Sequence, residues 1–256
     1  MMAESDADTP NTVVAHDVFP LSFAQQRLWF LHQLERTGSA YHVRLPVRLQ
    51  GRLDAEALQD ALNVVVERHE SLRTTIHVHD GEPVQRIRSA LHVPVEIIEM
   101  PGASEDEVRE RSARLAEAPF DLQQGPLLRV QLLRAARDSH QLLIVTHHMI
   151  SDAWSSGVLF RDLLESYDAI RTGKEPDLPQ LPVQYADYAV WQRDWLAGPE
   201  LDRQLTYWCD ALSGAPPLLD LPTDRPRPAT QSYRGSRWAH FLAPELTRQL
   251  KQLAQD

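Results

Sequence analysis

At 256 residues, with 43% hydrophobic and 24% charged side chains, the chain is long enough to bury a substantial core and has the balance of a globular protein. Its net charge of −10 argues against a general nucleic-acid binder, which needs a basic stripe, and no stretch approaches the roughly 18 apolar residues of a membrane span. The opening MMAESDADTP lacks the basic and apolar regions of a secretory signal, and Cys209, the one cysteine, leaves no intrachain disulfide; both fit a cytoplasmic setting.

Residues 1–17 read as a disordered leader. FPLSFAQQRLWFLHQLE is a helix with its own start signal: Ser22 and Gln25 fit a capping box, and Leu21 sits where a hydrophobic staple belongs. HVRLPVRLQG alternates apolar and polar residues as a strand does. LDAEALQDALNVVVER then spaces Leu53, Ala57, Leu58, Ala61, Leu62 and Val65 along one helical face behind Asp54 as N-cap. TTIHVHDGEPVQRI is a hairpin turning at Asp80-Gly81. A strand at VPVEIIEM, a charged helix over residues 104–118 and two long strands meeting near Arg137-Asp138-Ser139 follow, and SSGVLFRDLLESYDAIRTG is a helix closed by Gly173. The order α-β-α-β-β-β-α-β-β-α indicates an α/β fold, a mixed sheet with flanking helices and a large antiparallel component. Proline then concentrates over residues 181–232, around an aromatic helix from Tyr185 to Leu196 and a shorter one near Leu201 to Leu212. The last piece, residues 233–256, reads as one strand and the opening of a helix.

The chemistry gathers in LLIVTHHMISDAWSSG, where an apolar strand runs into two adjacent histidines. Strand neighbours point to opposite faces, so His147 and His148 cannot share one role. One packs beneath the sheet and the other projects at the strand end. Three readings stand on the residues alone. They are a pair of satisfied core histidines, a metal site with Asp152, and a general base held by its second nitrogen. Divergent neighbours and the lack of any further ligand cluster argue against a metal. Spacing does not choose between the other two.

Four segments stand in the order of a known family's motifs: LSFAQQRLWFL, RHESLRTTI, THHMISDAWS and YADYAVWQ, with FDLQQGPLLRVQLL between the second and third. From about Phe19 onward the chain resembles the condensation domain of nonribosomal peptide synthetases, of the chloramphenicol-acetyltransferase-like superfamily. The resemblance implies one lobe of a V-shaped, two-lobed domain: residues 18–180 form the N-terminal lobe, 181–232 the crossover, and 233–256 an incomplete start of the C-terminal lobe. It implies amide formation between a donor acyl thioester and an amine carried on phosphopantetheine by a peptidyl carrier domain, beside an adenylation domain. No cofactor is bound directly, and acyl-CoA is an alternative donor.

Carried over by residue, His148 is the catalytic group and His147 is structural. Asp152 fixes the loop, expected through Arg68 or Arg73, for which helix C-terminal charge is the blander role. Ala153, Trp154 and Ser155 are expected to line the tunnel. Ala153 replaces the motif's glycine, and its extra methyl is expected to narrow the passage or alter the donor tolerated. Tyr185, Tyr188 and Trp191 are expected to pack as structure. If Met1 is a native start, the position is that of a starter domain N-acylating the first amino acid of a lipopeptide. An internal condensation domain, a non-catalytic recruitment platform and a free-standing acyltransferase are the alternatives. The chain alone is expected to have little activity.

Overall fold

A computed structural model describes residues 16–34, 38–219, 221–226, 228 and 240–255. A short strand, β1 (His16–Pro20), precedes the first helix, α1 (Phe23–Leu34). That helix opens on the expected capping box: Ser22 Oγ accepts the Gln25 N–H at 3.2 Å and Gln25 Oε1 accepts the Ser22 N–H at 2.9 Å. Next come β2 (His42–Gln50) and α2 (Ala55–Arg68), whose N-cap Asp54 accepts from Glu56 and Ala57. A short 3-10 helix (Glu70–Arg73) leads into the hairpin β3 (Thr74–His79) and β4 (Glu82–Arg88). Asp80 and Gly81 both adopt positive φ, the two-residue turn that matches strand twist. The remaining elements are β5 (Val95–Glu99), α3 (Glu105–Leu115), β6 (Leu128–Ala136), β7 (Ser139–His147), α4 (Ala153–Arg171), α5 (Tyr185–Trp195), α6 (Pro199–Ala211) and α7 (Pro244–Leu253).

Two sheets result. The larger has the order β2-β7-β6-β5, antiparallel except for the β5–β6 pair, so the mixed sheet with flanking helices is as expected. The smaller has the order β1-β4-β3, and β1 is a correction to the expected leader, whose last two residues belong to this strand. Five residues ending in proline carry too little alternation to announce a strand. Pairing with β4 makes it one, at an edge where proline is tolerated. Residues 1–15 of the expected leader lie outside the described residues, as does most of the strand expected after residue 233.

One continuous core joins Leu58, Leu62 and Val65 of α2, Leu159 and Leu163 of α4, and the sheet residues Leu132, Leu142 and Ile144. On the opposite sheet face, α3 is fastened by Gln141 Nε2 donating to Ser112 Oγ at 2.7 Å. The chain divides into two compact units between Ala215 and Pro216, inside the segment read as a crossover; α5 and α6 belong to the first and α7 to the second. No helix among the described residues is long and apolar enough to cross a membrane.

Candidate active site

β7 delivers the histidine pair. Its register against β2 places His147 opposite His42, and the strand ends there, so the next residue leaves the sheet. His147 is 4% exposed and His148, just past the strand end, is exposed, so the two rings divide as expected. The His147 ring lies edge-on to His42 (6.1 Å between centroids), His32 (6.4 Å) and Phe120 (6.2 Å). Burial, reinforced by the positive potentials of His42, His32 and His148, pushes its pKa down to about 3. Its Nδ1 accepts the Met149 N–H at 3.1 Å, so the neutral ring carries its proton on Nε2. That lone pair is already engaged, so the ring offers no free acceptor nitrogen.

His148 has the opposite surroundings. Its backbone N–H donates to the Tyr41 carbonyl at 2.8 Å, while its ring makes no hydrogen bond among the described residues. It stands on the wall of a cavity of about 260 Å3, with Gln25, Arg27, Leu28, Ser71, Asp152, Ser155 and Tyr185 among the other walls. Tyr185 reaches this wall from α5, and its hydroxyl is 2.9 Å from Ser22 Oγ. No group of three potential metal ligands occurs among the described residues.

Among the described residues Asp152 pairs with no arginine, which corrects the expectation. It is the N-cap of α4: its carboxylate accepts the Ser155 N–H at 2.7 Å and the Ser155 hydroxyl at 2.6 Å, and its carbonyl accepts from Ser156. The Ser155 hydroxyl holds the carboxyl below its usual pKa range. An exposed carboxylate satisfied by its own helix start needs no distant cation. Of the residues expected to line a tunnel, Ser155 is on the cavity wall, whereas Ala153 and Trp154 are exposed in the first turn of α4, Trp154 to 85%.

Arg68 instead meets Asp162, in the middle of α4 and only 1% exposed, at 3.1 Å. His69 Nε2 at 2.9 Å and Arg161 at 2.8 Å complete the shell of that carboxylate. Burial pushes Asp162 upward, but the hydrogen bonds from Arg161 and His69 outweigh it and leave the pKa below the usual value. Arg68 also donates to the Pro179 carbonyl, and Gln184 Nε2 donates to the Arg68 carbonyl at 3.0 Å, tying the segment before α5 to α2. Arg73 stays away from the site. It donates to the carbonyls of Val66, Glu67 and Arg88, closing the α2 C-terminus in the blander role weighed for it. Sequence reading missed Asp162, and of Gln25 it found the cap but not the contacts of its amide nitrogen; a polar side chain at an otherwise core-facing helical position was the available signal for both.

A family model described as "Condensation domain" matches residues 15–256. One of the linear gramicidin synthase subunits of Brevibacillus parabrevis is 44% identical over 98% of this chain, which spans 3% of that relative. Among solved structures, the X-domain from teicoplanin biosynthesis, in complex with OxyB, is 35% identical with a TM-score of 0.76 over 87% of this chain and 49% of that one. The first condensation domain of the CDA synthetase, at 21% identity and a TM-score of 0.71 over 81% of this chain and 53% of that one, shares the fold.

Proposed function

The chain belongs to the condensation-domain family, and on that premise we propose that it supplies the histidine for amide formation between a donor acyl thioester and the amine of a carrier-bound aminoacyl group. The observation that carries this is the division between the histidines: His147 is buried and engaged, and His148 is exposed on a cavity wall with its ring free of hydrogen bonds among the described residues. In the reaction the amine nitrogen attacks the thioester carbonyl, the C–N bond forms and the C–S bond breaks. The His148 ring takes the amine proton and returns it to the departing thiolate. Asp152 starts the helix that follows and transfers no proton. Phosphopantetheine arrives on carrier domains, with an adenylation domain as neighbour, and either acyl-CoA or an acyl-carrier provides the donor.

A second reading comes from the X-domain relative, whose structure is a complex with OxyB. In a recruitment platform of that kind the His148 ring has no chemical role.

The test is a single-turnover mass assay with an aminoacyl-carrier acceptor, on this chain continued by the C-terminal half of a condensation domain and on this chain alone. Product from fatty acyl-CoA, abolished by His148→Ala, marks a starter domain; product only from a carrier-bound donor marks an internal one. A folded His148→Ala protein with undiminished product refutes the catalytic reading, and partner binding without product from any donor favours the platform.

A further inference from the structure

We propose that Gln25 is a positioning residue for His148, acting through the Met149 carbonyl; the inference rests on the catalytic reading of His148. Gln25 closes the α1 capping box with its oxygen alone, since Oε1 accepts the Ser22 N–H. A glutamate caps equally well. The amide nitrogen does something that a carboxylate cannot, donating to Gln85 Oε1 at 3.0 Å and to the Met149 carbonyl at 3.1 Å. Gln85 in turn donates from Nε2 to the Pro20 carbonyl at 2.9 Å. The Ser22 N–H can only donate and the Pro20 carbonyl can only accept, so the two ends fix the orientation of both amides.

The geometry leads to His148. Gln25 is 2% exposed, and its amide joins α1 and β4 to the carbonyl of the residue that follows the histidine. The backbone on either side of the histidine is tethered at three successive peptides: His148 N–H to Tyr41, Met149 N–H to His147 Nδ1, and Met149 carbonyl to Gln25. The His148 ring has no hydrogen bond of its own among the described residues, so its place is set by this backbone. Gln25, His148 and Met149 share the wall of the same cavity.

Gln25→Glu keeps size and capping but turns a carboxylate toward two carbonyl oxygens. In this chain continued by a C-terminal half, kcat is expected to fall about 10- to 100-fold, with KM for the carrier-bound acceptor unchanged, because a displacement near 1 Å has effects of that order. The ratio of variant to unsubstituted kcat is expected to rise as pH falls, when the protonated carboxyl donates again. Gln25→Asn withdraws the amide by one methylene without adding charge, and decides the matter if the glutamate variant does not fold. A folded variant with kcat within twofold of the unsubstituted protein, beside an inactive His148→Ala, overturns this inference alone. An active His148→Ala overturns the underlying reading.

Discussion

Replacing His147 by Asn tests whether the buried histidine cluster limits stability in acid. The unfolded ring takes up a proton near 6.5, whereas the native ring resists until about 3. Acid therefore favours the unfolded chain: the ring costs nothing above pH 6.5, and stability declines on acidification until the native ring itself titrates. The slope approaches about 1.4 kcal/mol per pH unit, so between pH 7 and pH 5 this one ring removes about 2 kcal/mol. His42, lowered chiefly by burial against the opposing pull of the Ala116 carbonyl, adds to the loss in the same direction. Asn at position 147 offers an oxygen where Nδ1 accepts the Met149 N–H and cannot titrate. Urea unfolding at pH 7 and pH 5 supplies the measurement, and the difference between the two pH values matters more than either stability, since the smaller side chain lowers both. The unsubstituted protein is expected to lose about 2 kcal/mol more than the variant over that interval. Equal losses would refute the argument and place the acid sensitivity elsewhere.

Substitutions centred on three further positions probe the fold. Asp152→Ala removes the α4 cap and is expected to cost about 1 kcal/mol by thermal or chemical denaturation, with Asp152→Ser retaining most of it. Asp162→Ala strips the carboxylate that Arg68, His69 and Arg161 share, and is expected to cost about 3–5 kcal/mol; Arg68→Ala costs less, because the carboxylate keeps two partners. Gly125→Ala places a Cβ 2.8 Å from Thr75 Cγ2 at a φ of +60°, with an expected loss of about 1–3 kcal/mol. Thr75→Ser removes that methyl, so the double variant should recover the steric part and keep the strain.

Features encoded within a few residues were legible before any coordinates. The Ser22–Gln25 capping box, the Asp54 cap, the Asp80-Gly81 turn and the period-two and helical patterns are local, and each reappears in place. The division between His147 and His148 is local as well, since the strand ends between them. The partners of charged and amide groups emerged only from the folded packing. Asp152 and Arg68 look equally able to form an ion pair on paper, but a carboxylate four residues past His148 begins a helix and is satisfied there, while Arg68 finds Asp162 94 positions away. The Gln25 amide shows both halves in one side chain: its oxygen follows the local cap, and its nitrogen reaches Gln85 and Met149 across 60 and 124 residues. Periodicity and capping report the conformation of a segment, whereas hydrogen-bond partners are chosen by what packing brings alongside once water is excluded.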